Sequence, residues 1–123
     1  MPARIVVVHD DGAFLGLLSA DLMAAGYEVA AFDDSLAAWD ALEAAKKVEL
    51  LITRIQFPTG KPHGVALARR ALSIRPTVRI LFTAMPDMQS YADDLGVFLA
   101  MPVSPTEVVE TVNRMFADSI LVP

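Results

Sequence analysis

A chain of 123 residues fits one domain of ordinary size, long enough to bury about two thirds of its unfolded surface without staples. It is 54% apolar, carries a formal net charge of −5 and has no cysteine; this excludes disulfides and thiol ligands and argues against nucleic-acid binding, which needs a basic surface. No apolar run approaches the roughly 18–20 residues of a membrane span, and Ile5 to Val8 is too short for a signal-peptide core, so a cytoplasmic protein with no membrane role is expected.

Strand-like and helix-like segments alternate along the chain, the pattern of βαβ units. Arg4 to Val8 is a β-branched run suited to a parallel strand buried on both faces. Phe14, Leu15, Leu17, Leu18, Leu22 and Met23 then recur at helical spacing, with Gly26 closing the helix. Tyr27 to Phe32 is a second strand. Asp34 or Ser35 can cap a helix that carries Leu36, Trp39 and Leu42 inward and ends near Lys46 and Lys47. Strand three is Leu50 to Arg54, followed by a loop from Gln56 to Gly64 punctuated by Pro58, Gly60, Pro62 and Gly64. Helix three, Val65 to Ile74, stops before Pro76. Val78 to Phe82 is strand four, Pro86 to Asp94 a short, weakly patterned helix and Gly96 to Ala100 strand five. Ser104, Pro105 and Glu107 open the last helix as a capping box, and Val108, Val112, Met115 and Phe116 mark its buried stripe. The C-terminal ADSILVP has no linker-like composition, so a single domain, 1–123, is expected.

Five strands alternating with five helices imply an α/β, doubly wound parallel sheet, for which order 2-1-3-4-5 is the commonest arrangement. That order makes strands one and three neighbours at the switch point. His9, Asp10 and Asp11 then face Arg54, and Thr83 and Met101 reach the same rim. An ion pair between Asp10 and Arg54 across the strand ends is expected. Thr53 points to the opposite face, because strand side chains alternate. His9 could titrate near neutrality as a sensor or base, or stand neutral and hydrogen-bonded to its loop; the absence of a nearby nucleophile favours the second. Trp39 reads as a core or helix-surface anchor. Between Leu50 and Ile80 every ionic residue is basic (Arg54, Lys61, Arg69, Arg70, Arg75, Arg79). These form either a set of solvated helix and strand ends or a cationic face for an acidic partner.

The blocks RIVVVHDDGAFLGLL, AAGYEVAAF, VELLITRIQFP, ILFTA and FLAMPVSPTEVV span nearly the whole chain, and in spacing and sequence they resemble a response-regulator receiver domain of two-component signalling. The resemblance implies a flavodoxin-like fold with two acids after strand one, a phosphate-accepting aspartate ending strand three, a Thr or Ser ending strand four and Lys-Pro after strand five. It also implies an aromatic in strand five coupled to the strand-four hydroxyl, and a cis peptide at the matching proline, here Pro102. In this chain His9 stands at the first acidic position, Asp10 at the second with Asp11 beside it, Arg54 at the acceptor and Met101 at the lysine. Thr83 and Phe98 fit the hydroxyl and aromatic switch positions. The interval from Thr83 to Pro102 is about four residues shorter than the family's.

Each departure has a chemical meaning. Mg²⁺ wants several oxygen ligands in octahedral geometry, and an imidazole and a guanidinium replace two of the family's three carboxylates. Divalent binding is expected to be weak or absent, with no other cofactor. A guanidinium offers five donors and no nucleophile, so neither phosphoryl transfer to Arg54 nor an enzymatic activity is expected. The chain then reads as a degenerate, unphosphorylated receiver acting by contact with a sensor kinase, another regulator or itself, possible homodimers included. Its contact face would be the fourth and fifth helices with strand five. Two alternatives are a phosphorylatable receiver using Asp10 and a flavodoxin-like cofactor domain. The latter would need a Ser/Thr/Gly-rich phosphate loop where HDDGAFLG stands, and would show flavin absorbance.

Overall fold

The computed structural model describes residues 3–121, so the last two residues of ADSILVP lie outside the described residues. Five parallel strands, β1 (Arg4–Val8), β2 (Glu28–Phe32), β3 (Leu50–Thr53), β4 (Arg79–Ala84) and β5 (Val97–Ala100), form one sheet in the order β2-β1-β3-β4-β5. Helices α1 (Gly12–Ala24), α2 (Ser35–Ala44), α3 (Gly64–Ile74) and α4 (Pro105–Leu121) make the crossovers and the closing element.

Alternation along the strands sorts the core into two layers. Val6, Val8, Leu51, Ile80 and Phe82 pack against Leu42 of α2 and Leu67, Ala68 and Ala71 of α3. Ile5, Val7, Leu50, Ile52 and Leu81 pack against Leu15, Leu18 and Leu22 of α1 and Val108 and Val112 of α4. The central strands are buried on both faces, and each large side chain removed from water there contributes roughly 1.5–3 kcal/mol. Helix starts follow local capping chemistry. Asp11 Oδ1 accepts from the amides of Ala13 and Phe14 at 3.1 and 3.2 Å, Asp34 Oδ2 from Ala37 at 3.2 Å, and Ser104 Oγ from Glu107 at 3.1 Å. Gly26 follows α1 with φ +98°, the left-handed region that glycine enters at least cost.

Three expectations need correction. Leu17, Met23 and Leu36 are exposed at 61%, 54% and 47%; α1 is apolar around most of its circumference, so spacing alone does not choose its inner face. The fourth helix is a 3-10 helix, Pro86–Ala92, with Ala92 its one buried residue. The link from β4 to β5 is too short for a packed α-helix, and Gly96 must lie against β4, where a Cβ would come within 2.7 Å of the Ile80 Cβ. The basic stretch is largely engaged within the chain. Arg54 pairs with Asp10, Lys61 with Asp34 at 3.0 Å and Arg70 with Glu43 at 3.3 Å. Arg75 donates to the Leu42 and Ala45 carbonyls that end α2. Arg79 donates to the Met115 carbonyl of α4 and lies over the Phe116 ring, 5.4 Å from its centroid. These cations tie helices down rather than form a free cationic face. Trp39 is half-buried and donates from Nε1 to Glu43 Oε1 at 2.7 Å.

Candidate functional site

The register fixes which side chains can meet. Val8 pairs with Thr53, and Thr53 with Phe82, so the residues just beyond, His9, Asp10, Arg54 and Thr83, gather at the carboxyl ends of β1, β3 and β4. This is the crevice where open α/β sheets place their chemistry. Arg54 Nη1 donates to Asp10 Oδ1 at 2.8 Å, a charge-assisted distance. The two side chains retain 24% and 35% exposure, which screens the pair and brings it toward the surface value of roughly 0–1 kcal/mol. Burial pushes the Asp10 carboxyl up, but the hydrogen bond and charge of Arg54 together outweigh it and hold Asp10 below its ordinary value.

The Arg54 backbone is anchored from two sides. The Thr53 hydroxyl donates to the Arg54 carbonyl at 2.8 Å, and the Gly64 amide donates to Ile55 O at 2.8 Å. Gly64 presses so closely on this turn that a Cβ would overlap the Arg54 carbonyl and lie 2.9 Å from Ile55 Cα. The Gly/Pro-rich loop thus folds back to hold the arginine in place. Lys61 strengthens the same fold-back by bridging to Asp34 at the start of α2.

His9 is 3% exposed. Its Nδ1 accepts from the Asp11 amide at 3.0 Å, and its ring packs on Phe14 with centroids 4.7 Å apart. The proton therefore resides on Nε2, which has no partner among the described residues. Asp10 Oδ1 lies 3.9 Å from Nδ1, beyond a hydrogen bond, so the two do not form an ion pair. Burial, followed by the Arg54 charge, lowers the His9 pKa below 6.5. As pH falls through about 6.5 the unfolded chain takes up a proton that the folded chain refuses. Stability is full above that pH and declines below it, by at most about 1.4 kcal/mol per pH unit. Urea midpoints measured from about pH 5 to 8 should show this slope in the wild type and lose it in His9→Gln. Asp10, depressed below 3.8, adds a further loss only in stronger acid.

The other expected site residues divide. Asp11 reaches the rim in sequence but caps α1 instead of facing Arg54. Thr83 is buried and lies beside Leu99. Phe98 pairs in register with Phe82 and packs in the layer beneath α2 and α3, so strand alternation places it on the face opposite Thr83. Met101 packs into the layer beneath α1 and α4, and the Met101–Pro102 peptide is cis. Sequence reasoning missed Gly64, although a glycine opening a helix after a proline-rich loop was a signal of close backbone approach. No group of three His, Cys, Asp or Glu able to hold a metal is found among the described residues, and no helix among them is long and apolar enough to cross a membrane.

No protein-family model matches the chain. It is 37% identical over 119 residues to the response regulator receiver protein CpdR of Brucella abortus (strain 2308), a match covering 91% of this chain and 95% of that protein. Among solved structures it is similar to a CheY-like response regulator receiver domain protein from Methanospirillum hungatei JF-1, with TM-score 0.83, 21% identity and 96% of each chain covered. It is similar also to the receiver domain of the hybrid histidine kinase CckA, with TM-score 0.74, 26% identity and 91% and 97% covered.

Proposed function

Because the chain belongs to the response-regulator receiver family of two-component signalling, we propose that it is a signalling module that acts by protein–protein contact and takes no phosphoryl group at its acceptor position. The observation that carries this reading is the 2.8 Å contact of Arg54 Nη1 with Asp10 Oδ1. A receiver that accepts phosphate needs a nucleophile at that strand end and compensation of charge on the transferred oxygens. Here the strand end carries a side chain with donors only.

The donor set does not fit Mg²⁺. Asp10 is held by a cation, Asp11 caps α1, and His9 Nδ1 is already an acceptor for the Asp11 amide. Arg54 supplies the positive charge that an ion would bring. Asp10 as a substitute acceptor is disfavoured by the same pairing, because the guanidinium on Oδ1 lowers the basicity of the carboxylate. With no nucleophile–base pair at the rim, the chain is read as a non-enzyme.

The test is intact-mass analysis after treatment with acetyl phosphate and Mg²⁺. The untreated mass should persist, with magnesium producing no change in melting temperature. A stable acyl-phosphate adduct, mapped to Asp10 or elsewhere, would overturn the reading.

A further inference from the structure

We propose that the free edge of β5, with the 3-10 helix beside it, docks an extended basic segment of a partner protein as an additional strand. This names the partner chemistry for the protein-contact reading above and rests on it. Among the described residues β5 pairs only with β4, so the outward row of its backbone donors and acceptors is unmatched by any strand of theirs. Such edges are ordinarily blunted by charge, proline or a bulge. Residues 96–100, Gly-Val-Phe-Leu-Ala, contain no charge and no proline. The opposite edge strand, β2, begins with Glu28, which faces Arg4 at 4.0 Å.

The surroundings of that edge are apolar and acidic. Of the six large apolar side chains exposed among the described residues, three (Met85, Tyr91 and Val97) fall in the short span that leads from β4 into β5. Tyr91 is 57% exposed, and aromatics of this kind anchor interfaces. From Ile80 to Asn113 the chain has no lysine, arginine or histidine, while Asp87, Asp93 and Asp94 stand exposed on or just after the 3-10 helix. These carboxylates choose the occupant. A second copy pairing edge to edge would bring two acidic sets together, and like charges across strands destabilise. A segment alternating apolar residues with Lys or Arg matches both the apolar floor and the charge. The four residues of β5 span about 13 Å, enough for a short peptide strand.

The experiment titrates the full isotopically labelled chain with the capped peptide Lys-Val-Lys-Val-Lys-Val, and separately with its glutamate counterpart, following backbone amides by NMR. The lysine peptide should shift the amides of Val97 to Ala100 and of the 3-10 helix, with an affinity that falls as salt is raised. The double variant Asp93→Asn, Asp94→Asn should bind about fivefold more weakly. Val97→Lys, at a position 39% exposed, should weaken binding by about fivefold or more through repulsion of the lysines, with the unchanged amide spectrum of the free variant checking its fold. Shifts confined to α1, equal binding of the glutamate peptide, self-association through this edge, or unchanged binding by Val97→Lys would each overturn the proposal. An acyl-phosphate label in the earlier assay would remove the unphosphorylated reading and leave this edge untouched, so the two failures are distinguishable.

Discussion

Replacing Gly64 with alanine should destabilise the protein by at least about 3 kcal/mol, a large share of the roughly 5–15 kcal/mol available to a domain. A Cβ at this position would lie 2.7 Å from the Arg54 carbonyl carbon and 2.9 Å from Ile55 Cα. Both obstacles are main chain, so no side chain can rotate to make room. Relief would require α3 to retreat from β3 and break the Gly64 to Ile55 hydrogen bond. Gly16→Ala in α1 is the matched control, since nothing lies within 4 Å of its added methyl; it should stabilise by roughly 0.5–1 kcal/mol through helix propensity. Urea unfolding would show the first midpoint falling sharply and the second rising, with the slope unchanged. If Gly64→Ala unfolds like the wild type, the close approach of α3 to the arginine turn is wrong.

Arg54→Asp is the second large effect, and it reaches function. The substitution removes the only ion-pair partner bonded to Asp10 among the described residues and sets a like charge beside it. Both side chains are partly exposed, so the loss at low salt should be about 1–2 kcal/mol rather than the larger cost of a fully buried pair. Two neighbouring carboxylates attract a hard divalent cation. Millimolar Mg²⁺ should therefore raise the melting temperature of the variant and leave the wild type unmoved, and treatment with acetyl phosphate should give a faint, magnesium-dependent label. Arg54→Met, which deletes the charge without adding another, should lose stability without responding to magnesium. A variant Arg54→Asp indifferent to the ion would show that restoring one carboxylate is not enough while His9 stands at the first acidic position.

The strand order and the meeting of Asp10 with Arg54 were legible because both follow from period and topology. Five short β-branched or apolar runs and their crossovers leave few arrangements, and the order alone places the ends of β1 and β3 together. What escaped has a common physical source: a single sequence displays the sign of a charge but not its partner. Arg75 and Arg79 read as cations on a possible contact face, yet they serve backbone carbonyls of α2 and α4 far away in sequence. Asp11 reads as a rim acid, but the helix that opens at the next residue claims its carboxylate. In α1 the apolar residues surround the helix, so Leu17 and Met23 could not be told from Leu18 and Leu22. Family likeness links Phe98 to Thr83, yet Phe98 pairs with Phe82 and packs beneath α2 and α3, an orientation that pairing register decides and a single sequence does not display.

The tether on Arg54 has a thermodynamic consequence. An ion drawn from solution occupies a site according to its concentration, and chelation or competition can empty the site. A guanidinium carried by the neighbouring strand meets its carboxylate at an effective concentration set by the fold alone. On the reading proposed above, the electrostatic condition of this crevice is inherited with the polypeptide and does not follow the cell's pool of metal.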